Sequence, residues 1–403
     1  MKKTLGIILG IIMIFSTFSF IGCGGEKNGG TSDEKKFDIT VNLPDDGIVP
    51  VYGKAVRDYL SAPQEERTRL AEIASAGVEG QRSYIYFSGK YCETFVARVS
   101  RTADFAEYFE RELNEYAERP EYKINLKTLI PGEKYYVMIY DKNDAKARSD
   151  VYEFTAENLT TRVLTLTDEN NLGTRNVRDS GGYAAGEGKR VKYEMIYRGS
   201  YLKPRADKDE TALTEFGRNV LKNELKVRAE IDLRTSGGDD YNRDDAAKTP
   251  QTLNYIAAAL PYYKCTITQY DLIFKSASSA KAIKEIFDVL ADEKNYPAYI
   301  HCNAGADRTG TILTLLHAIL GVSEKDAATD FELTSFSIMG KRLAVDLQQN
   351  NTDNYIAYGK FVKKLLSYSE TGDFEEGATN YLLSIGVEKQ TIEKVKSLLT
   401  EEI

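Results

Sequence analysis

The chain has 403 residues, with 61 acidic against 53 basic side chains, a formal charge of −8, and only four Cys, two His and no Trp. The acidic balance argues against a nucleic-acid-binding surface, and so few Cys and His residues leave little room for a structural zinc site. Any Ser-His-Asp or Cys-His chemistry must use His301 or His317.

Lys2 and Lys3 precede an uncharged apolar stretch, residues 5–21, of 17 residues. That is short for a membrane span of about 20 residues and suits the core of an export signal. It ends in Phe20-Ile21-Gly22-Cys23, which resembles the lipobox of bacterial lipoproteins, with Phe where Leu is usual. The resemblance implies cleavage before Cys23, a lipid such as palmitate on that residue, and anchoring to the outer face of the cell membrane. The alternative is an ordinary secretory signal or an uncleaved anchor, with Cys23 incidental. Residues 24–36 are polar and Gly-rich and read as a flexible tether. The expected order is a signal peptide over 1–22, a tether over 23–36, a β-rich domain over 37–157 and a catalytic domain over 158–403.

In residues 37–157 the texture alternates. Ile85 and Phe87, then Phe95, Ala97 and Val99, then Tyr135, Val137 and Ile139, are spaced two apart as half-buried strands require. Pro131-Gly132 marks a turn. Leu129-x-Pro131-Gly132-x-x-Tyr135 resembles the corner of fibronectin type III and immunoglobulin-like β-sandwiches, in which the Tyr bonds back to the chain upstream. Residues 56–76 depart from that pattern: Leu60, Leu70, Ile73 and Ala74 among charges read as an inserted helix that Pro63 interrupts or starts.

Beyond Thr161 apolar runs alternate with helical patterns, as in α/β folds. Ala280, Ile283, Ile286, Phe287 and Leu290 share one helix face. The short apolar strand Ala298-Tyr299-Ile300 leads into His301-Cys302-Asn303-Ala304-Gly305-Ala306-Asp307-Arg308-Thr309-Gly310 and then a helix apolar almost all round. Strand, tight loop and helix N-terminus together make an anion site. The amides of Asn303, Ala304, Gly305, Ala306, Asp307 and Arg308 are the expected phosphate cradle, with the Arg308 fork gripping two oxygens. The same field favours a Cys302 thiolate, a nucleophile facing the held phosphate. His301 is expected to bond within the loop, and Thr309 to donate to the sulfur as it leaves.

A bare Cys-x5-Arg is a weak signal, but the His before it, the Gly three residues on and the Thr-Gly after the Arg make it specific. The loop resembles that of the bacterial tyrosine-phosphatase-like branch of the protein tyrosine phosphatase superfamily. The likeness extends over residues 159–403 through Asn176-Val177-Arg178-Asp179-Ser180-Gly181-Gly182, Ile196-Tyr197-Arg198-Gly199-Ser200, Ile231-Asp232-Leu233-Arg234 and Asp330-Phe331-Glu332-Leu333. It implies an α/β protein-tyrosine-phosphatase fold, with a central, largely parallel sheet flanked by helices, behind the N-terminal β-sandwich. It also implies a phosphocysteine intermediate with neither metal nor cofactor.

Better-known members place the general acid in a Trp-Pro-Asp loop, and this chain has no Trp. The branch is thought to use the loop Asp, here Asp307; Asp271, 31 residues before Cys302, is the alternative acid by spacing. Asp232 is expected to orient Arg308 or Arg234, and Arg178 and Asp179 to serve as framework. Ala306 stands where members active on phosphoinositides often carry Lys, which weakens the case for multiply phosphorylated headgroups. The leading expectation is a protein-tyrosine phosphatase. The alternatives are an inositol-phosphate or phosphoinositide phosphatase and, in another class, a catalytically silent surface-binding lipoprotein. His317 reads as a core histidine, and Cys92 and Cys265 as packed thiols; a Cys92–Cys265 or Cys265–Cys302 disulfide is the lesser possibility.

Radiolabelled palmitate is expected to enter the wild-type chain and not Cys23→Ala; equal labelling of the two removes the lipid anchor.

Overall fold

The computed structural model describes residues 39–403 except 79–83, 89–93, 115–121, 127, 165, 169, 187, 204–208, 236–255, 257–259 and 345–352. The expected signal peptide and tether, and with them Cys23 and Cys92, therefore lie outside the described residues.

The alternating residues of the first part form strands. One sheet joins β1 (Thr40–Asn42), β3 (Tyr84–Ser88) and β6 (Tyr122–Asn125). A second runs β2 (Ile48–Val49), β9 (Tyr152–Ala156), β7 (Lys134–Asp141), β4 (Thr94–Ser100), β5 (Tyr108–Asn114), with β8 (Asp144–Arg148) against β7. Ile85 and Phe87 from one sheet meet Phe95, Val99, Val137 and Ile139 from the other in a single apolar core, as period-two burial dictates. At the Pro131-Gly132 turn the Tyr135 hydroxyl accepts from the Ile130 amide at 2.8 Å, the bond back to the chain expected of that Tyr.

Residues 56–76 form two helices rather than one. These are α1 (Lys54–Ser61) and α2 (Gln64–Ile73), with Pro63 just before the second, where a missing N–H breaks no helical bond. Their apolar faces do not join the β core. Val56, Tyr59, Leu60 and Ala71 pack instead with Leu333, Phe336 and Leu343 from the second half of the chain.

That half is built on a six-stranded sheet. Its order is β10 (Val163–Leu164), β11 (Val177–Asp179), β13 (Ile196–Gly199), β16 (Ala298–His301), β14 (Ala229–Asp232), β15 (Tyr262–Lys264). The four strands β13, β16, β14 and β15 are parallel, and β10 and β11 add an antiparallel edge. Side chains alternate between the faces: Ile196, Ile231 and Ile300 go to one core, Tyr197 and Tyr299 to the other. The first core is closed by α4 (Ala277–Leu290), α5 (Asp307–Ile319), α7 (Asp353–Leu366), α8 (Phe374–Ser384) and α9 (Lys389–Leu399). The short α3 (Glu215–Asn219) leads into the turns under the other face, and α6 (Glu324–Glu332) follows α5. A small ribbon pairs β12 (Lys189–Val191) with the C-terminal β17 (Thr400–Glu402). Every α5 residue from Thr309 to Ile319 is buried, as its all-round apolar sequence requires.

Strand β16 is central, and it delivers residues 301–306 to the carboxyl end of the parallel strands, the end at which open α/β sheets bind ligands. Ile300 is fully buried and Val151 is 48% exposed. Ile300→Ala is expected to cost about 2–5 kcal/mol and Val151→Ala no more than about 0.5 kcal/mol. Urea denaturation of the two variants checks the contrast.

Candidate active site

The loop after β16 is held from outside by its carbonyls. The Tyr201 amide donates to Asn303 O at 3.1 Å, Asn176 Nδ2 to Ala304 O at 3.0 Å, and Arg198 Nη2 to Gly305 O at 2.7 Å. Turning successive carbonyls outward is the geometry in which successive amides line the inner side of a loop. Gly305 has φ +66°, and a Cβ there would drive into the Gly199 backbone; only glycine fits this bend. Cys302 is buried, 2% exposed, while Asn303, Ala304, Asp307 and Arg308 are half-buried. Helix α5 begins at Asp307, so its positive end faces the same concavity.

Beneath the loop is a buried charge cluster. Arg178 Nε donates to Asp330 Oδ1 at 2.8 Å, and Arg198 Nη1 pairs with Asp330 Oδ2. Burial and the like charge of Arg178 pull the Arg198 guanidinium down to about 10, against the opposing pull of Asp330 and Cys302. Burial pushes the Asp330 carboxyl up, but Arg178 and Arg198 outweigh it and hold it below the ordinary carboxylate range.

His301 lies immediately before Cys302 at the end of β16. Its Nε2 lies 3.0 Å from Glu230 Oε1 and its Nδ1 3.2 Å from Cys302 O. Asp232, opposite His301 in the β14–β16 register, accepts from Arg234 Nε at 3.0 Å and Nη2 at 2.9 Å. Arg234 was one of its two expected partners, and Tyr262 and Lys264 join it at 2.8 and 3.0 Å. Asp179 turns to Arg162, 2.9 Å away, and caps the Gly181 amide at 2.9 Å.

At the rim Asp307 is fully engaged. Arg342 grips it with Nε to Oδ1 at 2.7 Å and Nη2 to Oδ2 at 2.9 Å, and the Tyr270 hydroxyl donates to Oδ1. Burial alone would raise this carboxyl; the Arg342 bonds and charge, the Tyr270 hydroxyl and Arg308 together hold it below its ordinary value. Tyr270 reaches it from a left-handed backbone, φ 53°, with its amide donating to Thr311 Oγ1 at 2.8 Å. Asp271, the alternative acid, follows it in the 3₁₀ turn Tyr270–Lys275 and is half-buried. The Thr309 hydroxyl is buried and has no hydrogen-bond partner; the bond to the Cys302 sulfur is not formed here.

The tyrosine phosphatase family profile matches residues 170–401, more than half of the chain. The chain belongs to the tyrosine phosphatase family. A tyrosine-protein phosphatase of Nostoc commune is 25% identical over 211 residues, 46% of this chain and 69% of that protein. A solved structure, the core catalytic domain of a PP-IP phosphatase from S. cerevisiae in complex with citrate, is 17% identical. It covers 37% of this chain and 74% of its own, with a TM-score of 0.25. The protein is thus a phosphatase of the cysteine-based kind.

Among the described residues of this phosphatase, the thiol other than Cys302 stands apart from the loop. Cys265 is free and buried, and burial, Glu285 and Asp232 push its thiol up to about 12. It follows β15, with β14 standing between β15 and β16; the Cys265–Cys302 disulfide is not formed, and the Cys92–Cys265 pairing lies outside the described residues. His317 is a core residue: its Nε2 lies 3.1 Å from Ser180 O and its ring 5.0 Å from that of Tyr183. Sequence reasoning missed Arg198, Glu230, Asp330, Tyr270 and Arg342. Arg198 and Asp330 lay inside family-like stretches and could have been found there; Arg342 carried no such signal.

Asp307 has a folded pKa below its unfolded one, so its contribution to stability is present above about pH 4 and is lost as pH falls through the folded value. Asp330 acts in the same direction. Melting temperature is therefore expected to drop between about pH 6 and about pH 3, and to drop less for Asp307→Asn. Parallel curves for the two proteins would mean that folding does not hold Asp307 ionised.

Proposed function

We propose that this phosphatase is a protein-tyrosine phosphatase that works through a phosphocysteine at Cys302. The observation that carries the reading is the burial of Cys302, 2% exposed, within a loop whose Asn303, Ala304, Asp307 and Arg308 are only half-buried. A phosphate at the end of a phenol ring suits a buried thiol of this kind, and the loop amides with Arg308 would hold its oxygens. The Cys302 thiolate attacks phosphorus as the bond to the phenolic oxygen breaks, and Asp307 gives its proton to that oxygen. Water then attacks the phosphocysteine, its proton passes to Asp307, and the departing sulfur takes a hydrogen bond from the Thr309 hydroxyl. His301 and Asp232 fix the strand end that carries the nucleophile, and Arg178 and Asp179 are framework.

The rest of the chain fits an exported enzyme: a lipid on Cys23 and the residue 23–36 tether would hold it at the outer face of the membrane. The Tyr135 corner and the parallel pairing of β2 with β9 support an immunoglobulin- or fibronectin-III-like reading of residues 37–157. Ala306, which lacks the additional cation that a Lys there would bring beside the phosphate, favours phosphotyrosine over inositol polyphosphates and phosphoinositides.

Phosphate release is expected from a phosphotyrosine peptide, far more slowly from inositol hexakisphosphate or phosphoinositide vesicles, and from none of them with Cys302→Ser. Preference for either inositol substrate overturns the tyrosine reading. No turnover on any of them overturns the enzymatic role of this loop in favour of a binding protein.

A further inference from the structure

The segment that carries Arg342 is fastened at several points to the helical pair α1–α2. It leaves the 3₁₀ turn Leu333–Phe336, bends at Gly340, φ 93°, and returns through Lys341. Ser335 Oγ accepts from the Arg342 amide at 2.9 Å and donates to Arg342 O at 2.7 Å, closing residues 335–342 into a loop. Next to it, Leu343 is buried with Tyr59, Leu60 and Ala71 of the helical pair. The Ala344 amide donates to Glu332 Oε1 at 2.9 Å. The same carboxylate takes Thr68 Oγ1 at 2.8 Å and the Tyr59 hydroxyl at 3.0 Å.

A further tie is Lys341. Its Nζ donates to Ala71 O at 2.9 Å and to Ala74 O, the carbonyls at the C-terminal end of α2, where orphan acceptors and the negative helix end favour a cation. Adjacent residues thus reach two different partners: Lys341 the end of α2, Arg342 the Asp307 carboxylate. Arg342 also donates from Nη1 to Lys341 O at 2.8 Å.

We propose that Arg342 is a positioning residue for the acid Asp307, and that α1–α2 holds it in place through Lys341, which makes the helical pair a working part of the phosphatase. The proposal rests on the reading of Asp307 as the proton donor. The bidentate fork fixes both carboxylate oxygens, so it sets the direction from which a proton can be given. It also sets how readily that proton is held. Arg342, Tyr270 and Arg308 face Asp307 and keep it ionised against the effect of burial, so loss of Arg342 moves its pKa upward. An acid acts only while protonated, and the rate falls as pH rises through its pKa. Loosening Arg342 therefore moves the basic limb of the rate profile to higher pH.

The test is kcat against pH for the full chain with phenyl phosphate, whose poor leaving group needs a proton. Asp307→Asn is expected to lower kcat by about 100-fold or more and to abolish the basic limb. Arg342→Gln moves the limb to higher pH, and Arg342→Lys, which keeps the charge and loses the fork, moves it less. Lys341→Met, a change that touches neither Asp307 nor Cys302, moves it in the same direction, and adds nothing in an Arg342→Gln background. A basic limb that survives in Asp307→Asn overturns the acid assignment, and the proposal with it. A limb abolished in Asp307→Asn but unmoved in Arg342→Gln overturns the role of Arg342 alone. A Lys341→Met profile that matches the wild type, while Arg342→Gln is shifted, removes the helical pair from the machinery. Circular dichroism melts of each variant separate these outcomes from failure to fold.

Discussion

Two arginines and one aspartate are buried under the loop after β16, and the loop's shape depends on how they neutralise one another. Removing an ion from water costs several kcal/mol even after relaxation, so Arg178, Arg198 and Asp330 are tolerable only together. Arg178 and Arg198 stand opposite each other in the β11–β13 register, and Asp330 reaches both from α6. Arg198 Nη2 also donates to Gly305 O, so the cluster that joins two strands and a helix also holds the loop. With two cations to one anion, the cluster leaves an excess of positive charge below the loop.

The two halves of the chain are tied by charge as well as by apolar packing. Arg162, fully buried, donates to Thr128 O at 2.6 Å, to Asp179 at 2.9 Å and to the Tyr197 hydroxyl at 3.1 Å, linking the β-rich part to two strands of the catalytic sheet. Arg111 and Thr128 meet Glu224. The change of texture near residue 157 is real in the sequence, but packing crosses it at α1–α2, whose apolar face is completed by Leu333, Phe336 and Leu343.

The elements that the sequence made legible are those whose signal is local. Period-two spacing placed Ile85, Phe87, Phe95, Val137 and Ile139 in one core, and the Pro-Gly turn announced the Tyr135 bond. The run from His301 to Gly310 specified strand, loop and helix because each step has its own chemistry: a β-rich apolar strand, a glycine at positive φ, a helix buried on all sides. What stayed hidden depends on long-range register. Arg198 matters because β13 lies beside β16, which no spacing reveals. Asp307 and Arg342 are 35 residues apart with a helix, a second helix and a turn between them. The helical pair was visible as a break in the β pattern; its packing partner was not.

Asp307 faces two demands that pull against each other. A half-buried carboxyl beside the loop must be compensated, and the Arg342 fork does this by keeping it ionised. In turnover, under the proposed reading, the same group must hold a proton long enough to give it to a leaving oxygen. A phosphate dianion in the loop supplies the reconciling force, since a nearby like charge raises a carboxyl's pKa while Arg342 lowers it. The acid is therefore poised by the difference between substrate charge and arginine charge, and is drawn toward its protonated form when the substrate is in place. Such a balance needs the arginine fixed in distance, because Coulomb interactions at a half-buried rim change steeply over a few ångströms. A rigid mount for Arg342 follows from that requirement, and Ser335, Glu332 and the end of α2 provide it.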